Sequence, residues 1–331
     1  MLLSVIVPTY GRPAYLRDNL ISLLQQDFPP KQYEIIVVDN KPTAEVRQIV
    51  QNLELEWQRP IRYLEEPTVG LHSARHAGAR AARGEILVYV DDDIIAHSGW
   101  LRAVLEPFED PLVAIVGGKI LPKWEAQPPE WLSQFPQSYL SLLDLGEKRQ
   151  ELGWPEGAYG CNLAIRRSVL YEVGGFNPDA MGDRRLIWFR GDGESGLHRK
   201  VYAAGYKVIY EPWAWVYHRI PPERLKAEAF YYRGMKSGLS ASYSRIRDTA
   251  KLRFFILRVI RRAFMAFLRI IRCYIKALFQ RDRRVRYISD AWLWYGYGMQ
   301  HLYAALNPRL RAFLLRDSYL LGSDSDEQQI R

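Results

Sequence analysis

Residues 84–100 read GEILVYVDDDIIAHSGW. Ile86 to Val90 have the composition of a buried β-strand, and the strand runs straight into Asp91, Asp92 and Asp93 before apolar residues resume. Three like charges at the end of a core strand repel one another and lose hydration, so a positive partner is expected there. Capping a helix would need only one acid. Hard divalent cations such as Mg2+ or Mn2+ take carboxylate ligands, and commonly combine one or two of them with the phosphates of a substrate. The triplet therefore predicts a site for a divalent ion and a nucleotide diphosphate.

Working outward, strand-like and helix-like segments alternate in the manner of βαβ units. LLSVIVPTY is a short apolar strand, AYLRDNLISLLQQ places Leu16, Leu20, Leu23 and Leu24 on one helix face, and YEIIVVDN is a second buried strand. IRYLEEP reads as a third strand, and GLHSARHAGARAARG as an Ala-rich helix closed by Gly84 in the position after its C-cap. The expected fold class is α/β, Rossmann-like, with a mostly parallel sheet flanked by helices. Ligands of open α/β sheets bind outside the carboxyl ends of the strands. Asp39 and Asp91 to Asp93 both stand at such ends, so they are expected in one crevice. Beyond residue 100, LVAIVGGKILP predicts another strand, and the Trp- and Pro-rich stretch 122–157 long loops with short helices.

At 331 residues, 48% of them hydrophobic, the chain can fill a large core. The start, MLLSVIVPTYGRP, enters a strand directly and shows no leader, which makes a cytoplasmic location the expectation. Cys161 and Cys273 are isolated and suggest neither a disulfide nor a cysteine metal site. The charge is unevenly spread: residues 251–331 carry 16 Lys/Arg against 6 Asp/Glu, a net of +10 where the whole chain is +9. In the segment 251–286, Arg258, Arg261, Arg262, Arg269, Arg272 and Lys276 fall on one helical face with Phe, Leu and Ile on the others. The longest uncharged run inside it, Ala263 to Leu268, is too short to span a bilayer. The pattern predicts a helix lying on an anionic membrane surface at the inner face of the cell membrane. No base-reading module accompanies it, so nucleic acid is not an expected partner.

Five ordered blocks over roughly residues 2–240 resemble the nucleotide-sugar-dependent glycosyltransferases of family two, which have the GT-A fold. These are SVIVPTYGRPAYLRDNLISLLQQ, YEIIVVDN, VGLHSARHAGARAARGEILVYVDDDI with its DxD, GAYGCNLAIRRSVLYEVGGFN, and GDGESGLHRKVYAAGYKVIYEPWAWVYHRIPPERL. The resemblance implies a GT-A catalytic domain over 1–222 and a helical C-terminal region over 223–331. It implies that Pro8, Thr9 and Tyr10 line the base and ribose pocket, that Asp39 accepts a hydrogen bond from the base, and that Arg75 lies beside the nucleotide or its diphosphate. Asp91 would lie near the ribose, Asp92 next to it, and Asp93 would hold Mn2+ or Mg2+, with Asp91 and His218 close to the ion. Asp192 would be the general base, with Glu194 as the second candidate. The implied reaction is transfer of a sugar from a nucleotide-diphospho-sugar, UDP-sugars first, to a glycan or lipid-linked acceptor hydroxyl with inversion, in surface polysaccharide or glycolipid synthesis.

The chain departs from that pattern in three places. Gly191 precedes Asp192 where a Glu is usual, His76 follows Ala74-Arg75 where an Asn is usual, and NKPTAE follows Asp39 where a Gly-Ser/Thr-Asp run is common. The alternatives are a nucleotidyltransferase of related fold, for which PTYGRP is a poor phosphate loop, and an inactive nucleotide-binding module on the membrane. A dinucleotide-dependent oxidoreductase would need G-x-G-x-x-G after the first strand, where only Gly11 occurs. For His72, His97, His198 and His301 the expected roles are structural.

Overall fold

The computed structural model describes residues 1–179, 184–250 and 254–320. Residues 251–253 of the basic segment, and 321–331, lie outside the described residues. The described chain divides into two compact units: 1–123, 141–176 and 197–219 form the first, and 124–140, 177–196 and 220–331 the second.

The first unit holds the sheet. Its strands are β1 (Leu3–Thr9), β2 (Tyr33–Asp39), β3 (Arg62–Glu65), β4 (Ile86–Val90), β5 (Ile94–Ala96), β6 (Val113–Trp124), β7 (Gln150–Leu152), β8 (Asn162–Arg166) and β9 (Lys207–Ile220). They run in the order β3-β2-β1-β4-β8-β6-β9-β5, with β7 paired to β9. From β3 to β4 every pairing is parallel. β8 then pairs antiparallel with both β4 and β6, and β5 and β7 pair antiparallel with β9. The parallel portion follows from its connections, α1 (Pro13–Leu24), α2 (Ala44–Trp57) and α3 (Leu71–Ala81), which are the helical crossovers that parallel neighbours require. Every residue of β1, β2 and β4 is buried, as their near-continuous apolar runs predict.

Two details place the crevice. On α3, Ala74, Gly78 and Ala79 form a small-residue face, and a Cβ at Gly78 would stand 2.4 Å from Ile6 Cγ2, so the helix lies close on β1 and carries Arg75 into the interior. The expectation that Gly84 closes this helix in the position after its C-cap is not met: the helix ends at Ala81 with Ala82 as an extended C-cap, one residue short of that register. Gly84 instead passes β1, where a Cβ would meet Leu3 C and Ser4 N at 2.6 Å, and its amide donates to Ser4 Oγ at 2.8 Å. Its role is close approach, not chain reversal.

The first unit also contains the short helices α4 (Trp100–Leu105) and α5 (Arg167–Glu172), and α6 (Gly193–Ala203) begins in the second unit. The second unit is helical, built on α7 (Ala227–Thr249), α8 (Phe255–Phe279), α9 (Arg284–Leu306) and α10 (Pro308–Leu314). α7 and α9 touch through backbone: a Cβ on Gly238 would stand 1.9 Å from Leu293 O, and one on Gly234 2.4 Å from Ser289 O. Tyr243, Ile246, Ala304, Leu310, Phe313 and Leu314 close the core at the far end of these helices.

Replacing a mid-helix glycine by alanine ordinarily gains up to about 1 kcal/mol of helix propensity. Gly238→Ala is expected to reverse that sign, destabilising by roughly 1–3 kcal/mol or more through overpacking against backbone, and a urea unfolding midpoint measures it.

Candidate functional site

Strand register assembles the acidic cluster. β1 and β4 pair with Leu3 opposite Ile86 and Ile6 opposite Tyr89; carried past the strand end, the same offset sets Thr9 beside Asp92. Thr9 Oγ1 donates to Asp92 Oδ2 at 2.7 Å. On the other side Thr9 pairs with Asp39 across β1 and β2. β9 supplies the last member, because His218 pairs with Ile94 and the Arg219 amide donates to Asp93 O at 2.9 Å. His218 Nε2 lies 3.4 Å from Asp93 Oδ1, and both side chains are almost fully buried.

The positive partners demanded by the three aspartates are arginines. Arg12, in the turn between β1 and α1, reaches Asp92 Oδ1 with Nη2 and Asp93 Oδ2 with Nη1, the latter at 2.6 Å. Arg75 Nη2 donates to Asp91 Oδ1 at 3.0 Å. Only 1% of Arg75 is exposed, with its guanidinium 5.9 Å from the Tyr89 ring centre and 5.5 Å from that of Phe176. A surface salt-bridge role for Arg75 is thereby excluded. Burial opposes the charge of Arg12, but Asp92, Asp93 and Asp91 together push its pKa up, so it stays cationic. Burial pushes Asp92 up to about 7; Arg12 and the Thr9 hydroxyl pull it back, while Asp93 and Asp91 add to the rise.

Asp39 is fully buried and holds a turn: Oδ1 accepts from Lys41 N at 3.0 Å, and Oδ2 from Tyr63 Oη at 3.0 Å and Thr43 N at 3.4 Å. Asn40 ties the same loop to residues 66–70 through Glu66 O, Thr68 O and Gly70 N. Pro8 is buried within β1, whereas Tyr10 is half exposed with Lys41 Nζ 5.6 Å from its ring centre. The register thus brings Thr9, Asp39, Asp91 to Asp93 and His218 to one end of the sheet, where Arg75 of α3 joins them through Asp91.

Asp192 and Glu194 belong to the second unit. Asp192 is buried and held from both sides: Asn177 Nδ2 donates to Oδ1 at 2.7 Å, and Ser244 Oγ, on α7, donates to Oδ2 at 2.7 Å. These two bonds, one to each oxygen, fix the orientation of the carboxylate. Glu194 is half buried in the first turn of α6. The departure at Gly191 has a steric basis. A Cβ there would meet Pro178 O at 2.9 Å and Tyr243 Cε2 at 3.1 Å, while Ser240 Oγ donates to Gly191 O at 3.1 Å.

His76, another of the three departures, is structural. Its Nε2 accepts from Phe176 N at 3.0 Å, and burial first, then the neighbouring cations, lowers its pKa to about 3. His72 stacks on Phe176 at 4.7 Å, His198 Nε2 accepts from Ala158 N at 3.0 Å, and His301 Nδ1 lies 2.7 Å from Ser242 Oγ. The sequence reading missed Arg12, Asn177 and Ser244. Arg12 carried a signal, a cation immediately after the first strand; the other two are remote from their acid in sequence and carried none.

The donor set suits a hard divalent ion. Asp93 Oδ1 faces an imidazole nitrogen, with two further carboxylates adjoining. Among the described residues no group of three or more His, Cys, Asp or Glu is arranged to hold an ion by itself.

In the metal- and nucleotide-free protein, Asp92 should make stability fall as pH rises. Its folded pKa lies above the unfolded one, so the folded state holds a proton that the unfolded chain has released, and the advantage is lost as pH climbs through about 7. Asp92→Asn should therefore gain on the wild type by on the order of 2 kcal/mol between about pH 5 and 8. Urea unfolding of both proteins at each pH measures this, and the difference cancels the opposite effect of neutral buried His76.

The glycosyl transferase family 2 profile matches residues 4–174. The glucosyl-dolichyl phosphate glucuronosyltransferase of Haloferax volcanii is 27% identical over 251 residues, covering 72% of this chain and 76% of its own. Validoxylamine A glucosyltransferase of Streptomyces hygroscopicus subsp. limoneus is 26% identical over 64% of this chain, which spans only 51% of that relative. The mannosyltransferase PcManGT of Pyrobaculum calidifontis, solved with GDP-Man and Mn2+, superposes with a TM-score of 0.53 at 18% identity, over 99% of this chain and 78% of that one.

Proposed function

The chain belongs to glycosyl transferase family 2 and has the GT-A fold; on that premise we propose that it moves a sugar from a nucleotide-diphospho-sugar, a UDP-sugar first among donors, to a glycan or lipid-linked acceptor hydroxyl with inversion. The observation that carries this reading is the cluster Asp91 to Asp93, with Asp92 and Asp93 buried, at the carboxyl end of the parallel strand β4, matched by Arg12 and Arg75. Asp39, Pro8, Thr9 and Tyr10 are the proposed base and ribose contacts. Asp93, with His218 and Asp91 beside it, would hold Mn2+ or Mg2+. When bound, such an ion supplies Lewis-acid stabilisation of the charge that appears on the departing diphosphate.

The protein's own groups account for the rest. Arg75, fixed in an aromatic slot, keeps a permanent positive charge for a diphosphate, and Asp92 with Thr9 braces the Arg12 turn. Asp192 is the proposed general base. Asn177 and Ser244 hold its carboxylate in one orientation, and in that role it would take the proton of the attacking hydroxyl. Glu194 stands second for that role. The haloarchaeal relative named for a dolichyl phosphate supports a lipid-linked acceptor in glycolipid or surface polysaccharide synthesis. The same reading puts the enzyme peripherally at the inner face of a membrane, through the basic segment 251–286.

Thermal unfolding with UDP, GDP, dTDP and CMP, each with and without Mn2+, tests the donor site. Ligand at about 100 times its dissociation constant stabilises by about 2.7 kcal/mol. One diphosphate should show a Mn2+-dependent shift that Asp93→Ala abolishes; no shift with any nucleotide would refute the donor site. Asp192→Asn should keep the nucleotide shift while kcat falls by roughly 10²–10⁴. Near-normal turnover in Asp192→Asn, with loss in Glu194→Gln, would move the base to Glu194.

A further inference from the structure

α8 divides its surface into three stripes. One contains Val259, Ala266 and Ala277, all buried, and Cys273, half buried; these small residues are the face packed on α9. The second carries the cations, of which Arg258, Arg261, Arg269 and Arg272 are exposed. The third is large, apolar and exposed: Leu257, Ile260, Phe264, Phe267, Ile271 and Leu278 follow at intervals of three, four or seven residues, one helical face. Phe264 is 59% exposed and Leu278 74%. The helix contains no acidic residue.

This arrangement inverts the usual one. Globular helices turn their large apolar side chains to the core and their small or polar ones to water, whereas α8 spends its small side chains on α9 and leaves Phe, Leu and Ile outside. A contiguous exposed stripe of this kind marks an interaction surface. Residues 321–331, LGSDSDEQQIR, contain only two large apolar residues, Leu321 and Ile330, too few to cover it. A second copy of the chain, packed stripe to stripe, would also bring the flanking arginines together, which like-charge repulsion opposes. An anionic bilayer satisfies both stripes at once, acyl chains taking the Phe and Leu side chains and headgroups the guanidinium groups. Among the described residues no helix is long and apolar enough to cross a membrane.

We propose that α8 lies in the plane of an anionic membrane with its Leu257–Phe264–Phe267–Leu278 stripe inserted among the acyl chains, so that attachment is held by apolar insertion as well as by charge. This deepens the membrane part of the function proposed above and uses nothing from the donor site.

The test is flotation of the full-length protein with vesicles of phosphatidylcholine alone or with phosphatidylglycerol, at low and high salt. The wild type should bind the anionic vesicles and retain a salt-resistant fraction. Phe264→Ser with Phe267→Ser should remove that fraction and weaken binding roughly tenfold or more. Arg261→Gln with Arg272→Gln should weaken low-salt binding and spare the salt-resistant part. In a Phe264→Trp variant, brominated lipid should quench the new indole fluorescence relative to the wild type. Both Ser sites are exposed, and unchanged thermal unfolding would show that the variant is folded. Salt-resistant binding that survives the Ser pair, or an indole at position 264 untouched by bromine, overturns the proposal. So does failure of the wild type to float, joined to a dimer in light scattering that the Ser pair dissolves. A nucleotide-induced thermal shift, read on the same proteins, reports the donor site separately, so either reading can fail while the other stands.

Discussion

A buried strand that ends in three carboxylates persists only if cations are brought to it, and the architecture of the first unit meets that condition from two directions. Arg75 arrives on a helix that small residues allow to lie flat on β1, and is enclosed between aromatic rings. Arg12 arrives on a turn and remains half exposed. The two therefore differ in kind: one charge is built into the core and the other stands at its edge. Arg12 engages Asp93 Oδ2, while Oδ1 of the same carboxylate faces His218. The two oxygens of Asp93 thus meet different partners, a guanidinium on one side and an imidazole on the other.

Much of this was legible because the responsible signals are local. Strands β1, β2 and β4 announce themselves as apolar runs, and acids at their ends can point only to the crevice at the carboxyl edge. The burial of Arg75 was not legible from its neighbours; it depends on Gly78 fitting against Ile6, a tertiary contact between residues far apart in the chain. Gly84 misled for the same reason. A glycine after an Ala-rich helix looks like a C-cap, yet here the constraint is the backbone of Leu3 and Ser4 passing within reach of its absent side chain. Asn177 and Ser244 gave no warning at all, since an amide and a hydroxyl acquire meaning only from the carboxylate they face.

The helical unit rests on a different economy of packing. Its helices meet through glycine, alanine and serine, so that backbone touches backbone between α7 and α9, and Gly298 of α9 admits Ala266 of α8. Few large side chains are needed to hold α8 in place. That is why its Phe, Leu and Ile residues remain outside the protein's own core, and why the basic pattern in the sequence showed only part of what the helix presents.

Side chains that meet through rotamers can absorb a small displacement, but backbone in van der Waals contact cannot. α8 rests on α9 and α9 on α7, and α7 carries the serine that orients Asp192. The three helices thus form a stiff stack, and its depth fixes how far the Asp192 carboxylate stands from the outer face of α8.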